Sequence, residues 1–249
     1  MLQKVEGIVI RTTDYGESNK ILTLYTRELG KIGVMARGAK RPKSRLSSIS
    51  QLFTHGQYVF QKTSGLGVLN QGEIISSFRD LRADIFLTAY SAYIVELLDK
   101  LTEQNEKNPY LFEFLYQTFH FIDEGYDYEI LTRIFEIKML RVAGVGLHVD
   151  GCTHCGANEG EFSFSVKEGG FLCHCCLHVD NKTLKISAAT AKLLRLFYYF
   201  ELNRLGSISV KQETKIQLKQ IVEEYYDEYS GLHLKSKRFL NQLDKMNID

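Results

Sequence analysis

The 249-residue chain has no tryptophan and only two prolines, and no repeat or low-complexity tract is visible in it. No apolar run approaches the ~18 residues that a membrane span needs. The opening Met1-Leu2-Gln3-Lys4-Val5-Glu6-Gly7 lacks the basic, apolar, small-residue order of a signal peptide, so a cytoplasmic protein without membrane association is expected. Walker A, HExxH and GxSxG sequences are all missing, and nothing offers a nucleophile with a neighbouring base. Gly65-Leu66-Gly67 imitates half of a dinucleotide fingerprint, but the third glycine is absent and a strand follows, so it reads as a hairpin turn. The chain gives no positive case for an enzyme.

What is present is ordinary globular material with an uneven charge. Hydrophobic residues make up 44% and charged residues 24%, which excludes wholesale disorder. The net charge of +1 hides an asymmetry: residues 1–80 carry 12 Lys+Arg against 6 Asp+Glu, and the remainder 19 against 24. The basic part suits a polyanion and the acidic part does not.

Hydrophobic period divides the chain at about residue 80. Before it, Lys4–Thr12, Lys20–Thr26, Lys31–Arg37, Gln57–Lys62 and Val68–Ile75 are short β-branched and aromatic runs separated by glycine-bearing turns. Five such runs predict a Greek-key OB-type barrel, with Gly7, Gly33 and Gly72 expected at bulges or bends. Between the third and fourth runs, Arg37–Arg45 holds five basic residues in nine. Gly38 and Pro42 oppose regular structure there, so it reads as a mobile basic loop ending in a short helix near Leu46–Leu52. After residue 80 apolar residues recur every three or four positions. Helices are expected over the Ile85–Leu101 run, Tyr110–Asp123, Tyr128–Ala143 (ending at Gly144 or Gly146), Ala188–Leu205 with Ser187 as N-cap, Lys211–Tyr229 and Lys235–Met246. The fold class is α+β: an OB-fold domain over 1–80, then a helical domain over 81–249 that contains a zinc module at 148–180.

All five cysteines lie between 152 and 176. Cys152-x2-Cys155 and Cys173-x2-Cys176, 17 residues apart, have four-sulfur zinc spacing. Each knuckle turns two thiolates to one side, and two knuckles make a tetrahedron. A closed shell of four thiolates leaves no place for water, so the zinc is expected to be structural. Stable disulfides are disfavoured without secretion, and a thioredoxin-type site would need a βαβ context that is missing. His154, His174 and His178 lie close by, and any could replace a thiolate; Cys175 reads as a free thiol.

A small barrel carrying a basic loop is suited to single-stranded nucleic acid, with cations on the phosphates and aromatics under the bases. Arg37, Lys40, Arg41, Lys43 and Arg45 suit the first task. Tyr15, Tyr25, Phe53, Tyr58 and Phe60 are candidates for the second, although aromatics on alternating strands are more often core. RNA binding, protein docking by the basic loop, and a zinc hydrolase are competing readings.

Three segments carry a resemblance: VEGIVIRTTDYGESNKILTLYT, GKIGVMARGAKRPKSR, and RIFEIKMLRVAGVGLHVDGCTHCG followed by FSVKEGGFLCHCC. Together they resemble the RecO family of bacterial recombination mediators over nearly the whole chain. The resemblance implies a non-enzymatic repair role: binding single- and double-stranded DNA, annealing complementary strands, and helping, with RecR, to load RecA onto strands coated by SSB. It implies a nucleoid-associated protein whose DNA contacts lie at Arg37–Arg45, joined by Arg11 and Lys31. It places zinc on Cys152, Cys155, Cys173 and Cys176, with Cys175 leaving the fourth ligand open. It also implies that the helical domain meets the acidic tail of SSB, for which Arg133, Lys138 and Arg141 are the candidates. Arg133 has an equally good reading as a helix arginine paired with Glu129 or Glu136.

Overall fold

The computed structural model describes residues 1–62, 65–202 and 209–246. The chain divides into two compact units, Met1–Gly125 with Ser236–Asp249, and Tyr126–Lys235.

The first unit is built on a closed barrel of β1 (Leu2–Tyr15), β2 (Asn19–Thr26), β3 (Gly30–Ala36), β4 (His55–Gln61) and β5 (Gly67–Ser76), in the order β1-β2-β3-β5-β4. Neighbours are antiparallel except β3 and β5, which run parallel over only two pairs, Val34↔Gly67 and Met35↔Val68. This is the expected OB-type arrangement. Val5, Val9, Leu22, Leu24, Val34, Tyr58, Phe60 and Leu69 fill the interior. Alternation puts these side chains on one face of each strand, and closure makes that face the inside.

Two expectations change. The ladder irregularities fall at Val9/Arg11, His55/Gly56 and Val59/Phe60, not at Gly7, Gly33 or Gly72. Gly72 serves close approach instead: a Cβ there would stand 2.6 Å from Ile49 Cγ1. No helix forms near 46–52 either. The segment after β3 is a run of turns, closed by Arg41 N–H to Gly38 O, Ser44 N–H to Arg41 O, Ser47 N–H to Ser44 O and Ser50 N–H to Leu46 O. Its Ala39 and Ile49 are buried in the barrel core, and Leu46 packs against it. The Tyr58 hydroxyl donates to Ile49 O at 3.2 Å and Thr54 O at 2.9 Å. The basic segment is therefore the outer surface of a plug, anchored at both ends.

The short α1 (Arg79–Ala83), which the sequence did not signal, leads into α2 (Ile85–Leu101) and α3 (Pro109–Asp123). Asp84 and Asn108 cap α2 and α3 by accepting backbone N–H groups, and Pro109 stands in the first turn of α3. Phe53 and Phe78 both hold left-handed backbone, φ 67° and 45°. Both rings meet Phe119 of α3 edge-on, at 5.4 and 5.7 Å. Such a conformation costs on the order of 1–2 kcal/mol per residue and persists because packing over-determines it. The terminal helix α7 (Lys235–Met246) belongs to this unit and is tied to α2 by the Ser236 N–H, 2.8 Å from Glu96 Oε2.

The second unit contains α4 (Tyr128–Val142), β6 (His148–Cys152), β7 (Phe162–Ser165), β8 (Gly170–Cys173), β9 (Leu184–Lys185), α5 (Ala188–Tyr199) and α6 (Gln212–Tyr229). Helix α4 is buried from Ile130 to Leu140. It ends as the sequence predicts, with Gly144 left-handed at φ 75° and Val145 N–H returning to Leu140 O. The Tyr226 hydroxyl of α6 donates to Glu136 O at 2.8 Å. Lys215 of α6 bridges Asp127 and Glu129 at 2.6 and 2.7 Å. Ser187 caps α5 as expected, but the helix stops at Tyr199, where Phe200 turns extended. The expected remainder to Leu205 includes 203–205, which lie outside the described residues.

An ionic group, buried only at His55 and half-buried at Glu6, Arg27 and Glu113, fixes β1 and β4 to α3. His55 Nε2 lies 2.9 Å from Glu6 Oε1, Glu6 Oε2 accepts from Arg27 at 2.9 Å, and Arg27 reaches Glu113 at 2.8 Å while stacking on Phe112. Burial, working against the pull of Glu6, lowers the His55 pKa below 6.5. Burial would raise Glu6, but the hydrogen bonds from Arg27 and His55 outweigh it and hold the carboxyl below 4.5. As pH falls through 6.5 the unfolded chain takes a proton at His55 before the folded one does, so stability falls. The Glu6 contribution is held above 4.5 and lost below it. Thermal melts should show Tm dropping from pH 7 to 5, and His55→Gln, which can still donate to Glu6, should flatten that drop. An unchanged slope would assign the acid sensitivity to other groups.

Candidate metal centre and nucleic-acid interface

The sulfurs of Cys152, Cys155, Cys173 and Cys176 all lie within 4.8 Å of one another, and Cys155 and Cys173 approach to 3.6 Å. A tetrahedron with Zn–S bonds of 2.3 Å has edges of about 3.8 Å, so the four could hold a metal ion. The strands bring them together. Cys152 ends β6 and Cys173 ends β8, which pair in parallel as Cys152↔Phe171. Cys152 N–H donates to Ala157 O at 2.7 Å and Gly156 N–H to Cys152 O at 2.9 Å, closing the first knuckle. Cys176 sits in the 3₁₀ turn His174–Val179 that follows β8. Gly170 cannot be replaced cheaply, because a Cβ there would stand 2.1 Å from His148 O. Burial acts to raise the Cys152 thiol, but backbone N–H groups of Cys155, Cys173 and His154 bring it down to about 6. Cys176 is pushed up, first by burial and then by its three neighbouring sulfurs.

Cys175 is exposed and turns to His174, with 3.1 Å between Sγ and Nε2, outside the four-sulfur cluster. Among the described residues, neither His154, His174 nor His178 joins that group. The sheet order β6-β8-β7-β9, with β7 and β8 joined as a hairpin through Gly169, was not legible in the sequence. Arg195 of α5 was missed altogether. Its guanidinium lies 5.1 Å above the Phe162 ring and 5.3 Å from Phe171, and its Nε donates to Val149 O at 2.6 Å. No motif marks such a residue; its role follows only from how α5 packs on the sheet.

On the barrel, Arg37, Lys40, Arg41, Lys43 and Arg45 are all exposed. Lys40 pairs with Asp14 at 2.7 Å, and that hydrogen bond lowers the Asp14 pKa. The other four side chains have no ion pair among the described residues. Two contacts hold the segment to the β1–β2 hairpin: Lys40 N–H to Ser18 O at 2.9 Å and Gly38 N–H to Asn19 Oδ1 at 2.9 Å. Lys43 keeps φ 61°, a position that backbone geometry would assign to glycine. Lys20, missed in the sequence, joins this end because the ladder sets it opposite both Asp14 and Ala36.

The remaining charged candidates part company. Lys31 is buried, and its ammonium donates to Asp99 O at 2.5 Å and Thr102 O at 2.6 Å. It satisfies carbonyls at the α2 C-terminus, where a cation is favoured, and is not offered to a phosphate. Arg11 remains exposed but lies 3.3 Å from Asp99 Oδ2. Arg133 is buried against Glu136 at 2.9 Å, the helix pairing weighed from the sequence. Lys138 is buried too, its ammonium 2.9 Å from Tyr198 O, and burial, helped by Arg141, pushes its pKa down to about 8. Only Arg141 of that trio is exposed, over the Tyr198 ring at 5.1 Å. Of the stacking candidates, Tyr25, Phe53, Tyr58 and Phe60 are core. Alternation turns Tyr58 and Phe60 into the barrel, Tyr25 is buried on the other face of β2, Phe53 packs on Phe119 outside any strand, and Tyr15 alone of the five is exposed.

Comparison with known proteins follows this geometry. Residues 1–78 match the family model described as Recombination protein O N terminal, and residues 82–238 the model described as Recombination protein O C terminal. The DNA repair protein RecO of Halalkalibacterium halodurans is 60% identical over 248 residues, covering 100% of this chain and 98% of that protein. The DNA repair protein RecO of Bacillus cytotoxicus is 58% identical over 248 residues, covering 100% of both. That of Bacillus subtilis is 56% identical over 246 residues, covering 99% of this chain and 96% of its own length. With both halves matched and identity sustained over the full length, this chain belongs to the RecO family of DNA repair proteins.

Proposed function

We propose that the chain is a non-enzymatic mediator that binds and anneals single-stranded DNA and, with RecR, helps load RecA onto SSB-coated strands at the nucleoid. The observation that carries the DNA-binding part is the Arg37–Arg45 segment, where four exposed cations without ion pairs among the described residues sit on a plug fixed to the barrel. A folded protein gains nothing internally from like charges held this close, and a polyanion would neutralise them. In this reading residues 1–80 are the DNA-binding domain, residues 81–249 the helical domain, and 148–180 a module stapled by structural zinc. Four thiolates would close the metal's coordination shell, which gives it no catalytic water. Of the three residues considered for the SSB tail, Arg141 alone is on the surface to meet it.

The test is fluorescence annealing of complementary oligonucleotides, with and without SSB. Changing Arg37, Arg41, Lys43 and Arg45 to Ala should abolish salt-sensitive annealing and lower the log–log salt slope for single strands by about 3. Wild-type protein that fails to anneal would overturn the mediator reading, and annealing that survives the substitutions would move the site. Lys43→Gly separates charge from backbone strain. It should raise stability by about 1 kcal/mol while weakening DNA binding at low salt. Metal analysis should find one zinc per chain. Cys173→Ser should lose it and lower Tm, whereas Cys175→Ser should keep both. Loss of zinc in Cys175→Ser would overturn the ligand assignment.

A further inference from the structure

We propose that Tyr15 is the platform on which an unpaired base stacks when a single strand lies along the Arg37–Arg45 segment; this rests on the DNA-binding reading above. Tyr15 is the last residue of β1 and is 51% exposed. Neither its ring nor its hydroxyl has a partner among the described residues, so packing does not account for an aromatic there.

Position supplies the rest. Tyr15 stands directly opposite Asn19 in the β1–β2 ladder. Residues so paired share a face, with Cβ atoms about 5 Å apart. The Asn19 side chain accepts the Gly38 N–H, so Tyr15 is one ladder pairing away from the point where Arg37 and Gly38 leave β3. The next ladder position carries Asp14, which holds Lys40, and Ser18 O accepts the Lys40 N–H. These contacts hold the end of β1, which carries the ring, to the backbone of the segment that carries the cations. The turn between the first two strands also borders the oligonucleotide face of OB barrels in general.

The two parts divide the work. Cations contact phosphates of single strands and duplexes alike, whereas a ring can stack only on a base that is not already stacked within a duplex. Tyr15 therefore gives this surface its preference for single strands, without sequence preference, since every base has a π-face.

The chain has no tryptophan, so Tyr15→Trp places a lone indole at the site. Titration with an oligo-dT should quench its emission, and a blunt duplex of similar length should leave it unchanged. Tyr15→Ala should lower oligo-dT affinity by roughly 5- to 150-fold with duplex affinity and Tm kept, and Tyr15→Phe should behave as wild type. An indole left unquenched at saturating oligo-dT, or equal losses for single strand and duplex in Tyr15→Ala, would overturn the proposal. If wild-type protein binds neither probe, the DNA reading itself fails, and that result precedes any variant.

Discussion

The first unit depends on how its barrel is completed. Strands β3 and β5 share only two residue pairs, so the ladder alone closes little of the gap between them. The chain between β3 and β4 adds its own apolar residues to the barrel core. Ile49 enters the core against Gly56 and Gly72, with Ala39 and Leu46 beside it. Burying three apolar side chains at this end contributes several kcal/mol, at about 1.5–3 kcal/mol for each large one. Between Arg37 and Ser48 the residues that do not point inward face solvent in whole or in part. A segment that must plug the barrel therefore also becomes a rigid display, and the basic residues occupy its outward positions. Its hydrogen-bonded turns follow from the same requirement, because a loosely held loop could not keep Ile49 in place.

The excess positive charge of residues 1–80 is then sorted by the fold. Arg27 is absorbed by Glu6 and Glu113, Lys31 by the end of α2, and Arg11 in part by Asp99. These pairs hold barrel and helices of this unit together, and those that are buried would be costly to break. Of the cations left without an ion pair among the described residues, Arg37, Arg41, Lys43 and Arg45 share the plug, and Lys4, Lys20, Lys62 and Arg79 lie elsewhere. Carboxylates thus stand where cations tie the barrel to the helices, and the 37–45 segment keeps four cations without such a partner among the described residues.

Much of this was legible in the sequence. The five barrel strands and six of the helices follow from period together with cap and glycine signals, because most of them bury one continuous face. The four sulfurs were legible because two CxxC knuckles at this separation leave little else that they can do. Burial of individual charged residues was not legible. Lys31, Arg133 and Lys138 have the same chemistry as Arg37 or Arg41, and only the position of a helix end or a facing carboxylate decides which are internal. Arg133 shows the limit well: its spacing to Glu136 gave the pairing, and nothing local said that both would be covered. The short strands β6 to β9 escaped for a different reason. At two to five residues each, they are too brief for alternation to be counted.

That brevity explains why cysteines are concentrated there. A sheet of four such strands encloses few apolar side chains, chiefly Phe164, Phe171 and Leu172, and a core this small cannot repay the ordering of its connections. Two devices compensate. Arg195 lays a planar cation across Phe162 and Phe171 and ties α5 to the β6 backbone, while the Ser165 hydroxyl and the Asp180 carboxylate, 2.6 Å apart, close the hairpin side. The four sulfurs gather the opposite ends of β6 and β8. A metal ion held there would replace, in one small volume, the packing that the strands cannot supply, since its ligation energy becomes folding energy. The same reasoning separates stapling from recognition. The residues that would hold the metal are used up in holding the sheet, and none of them belongs to the basic segment 37–45 of the barrel.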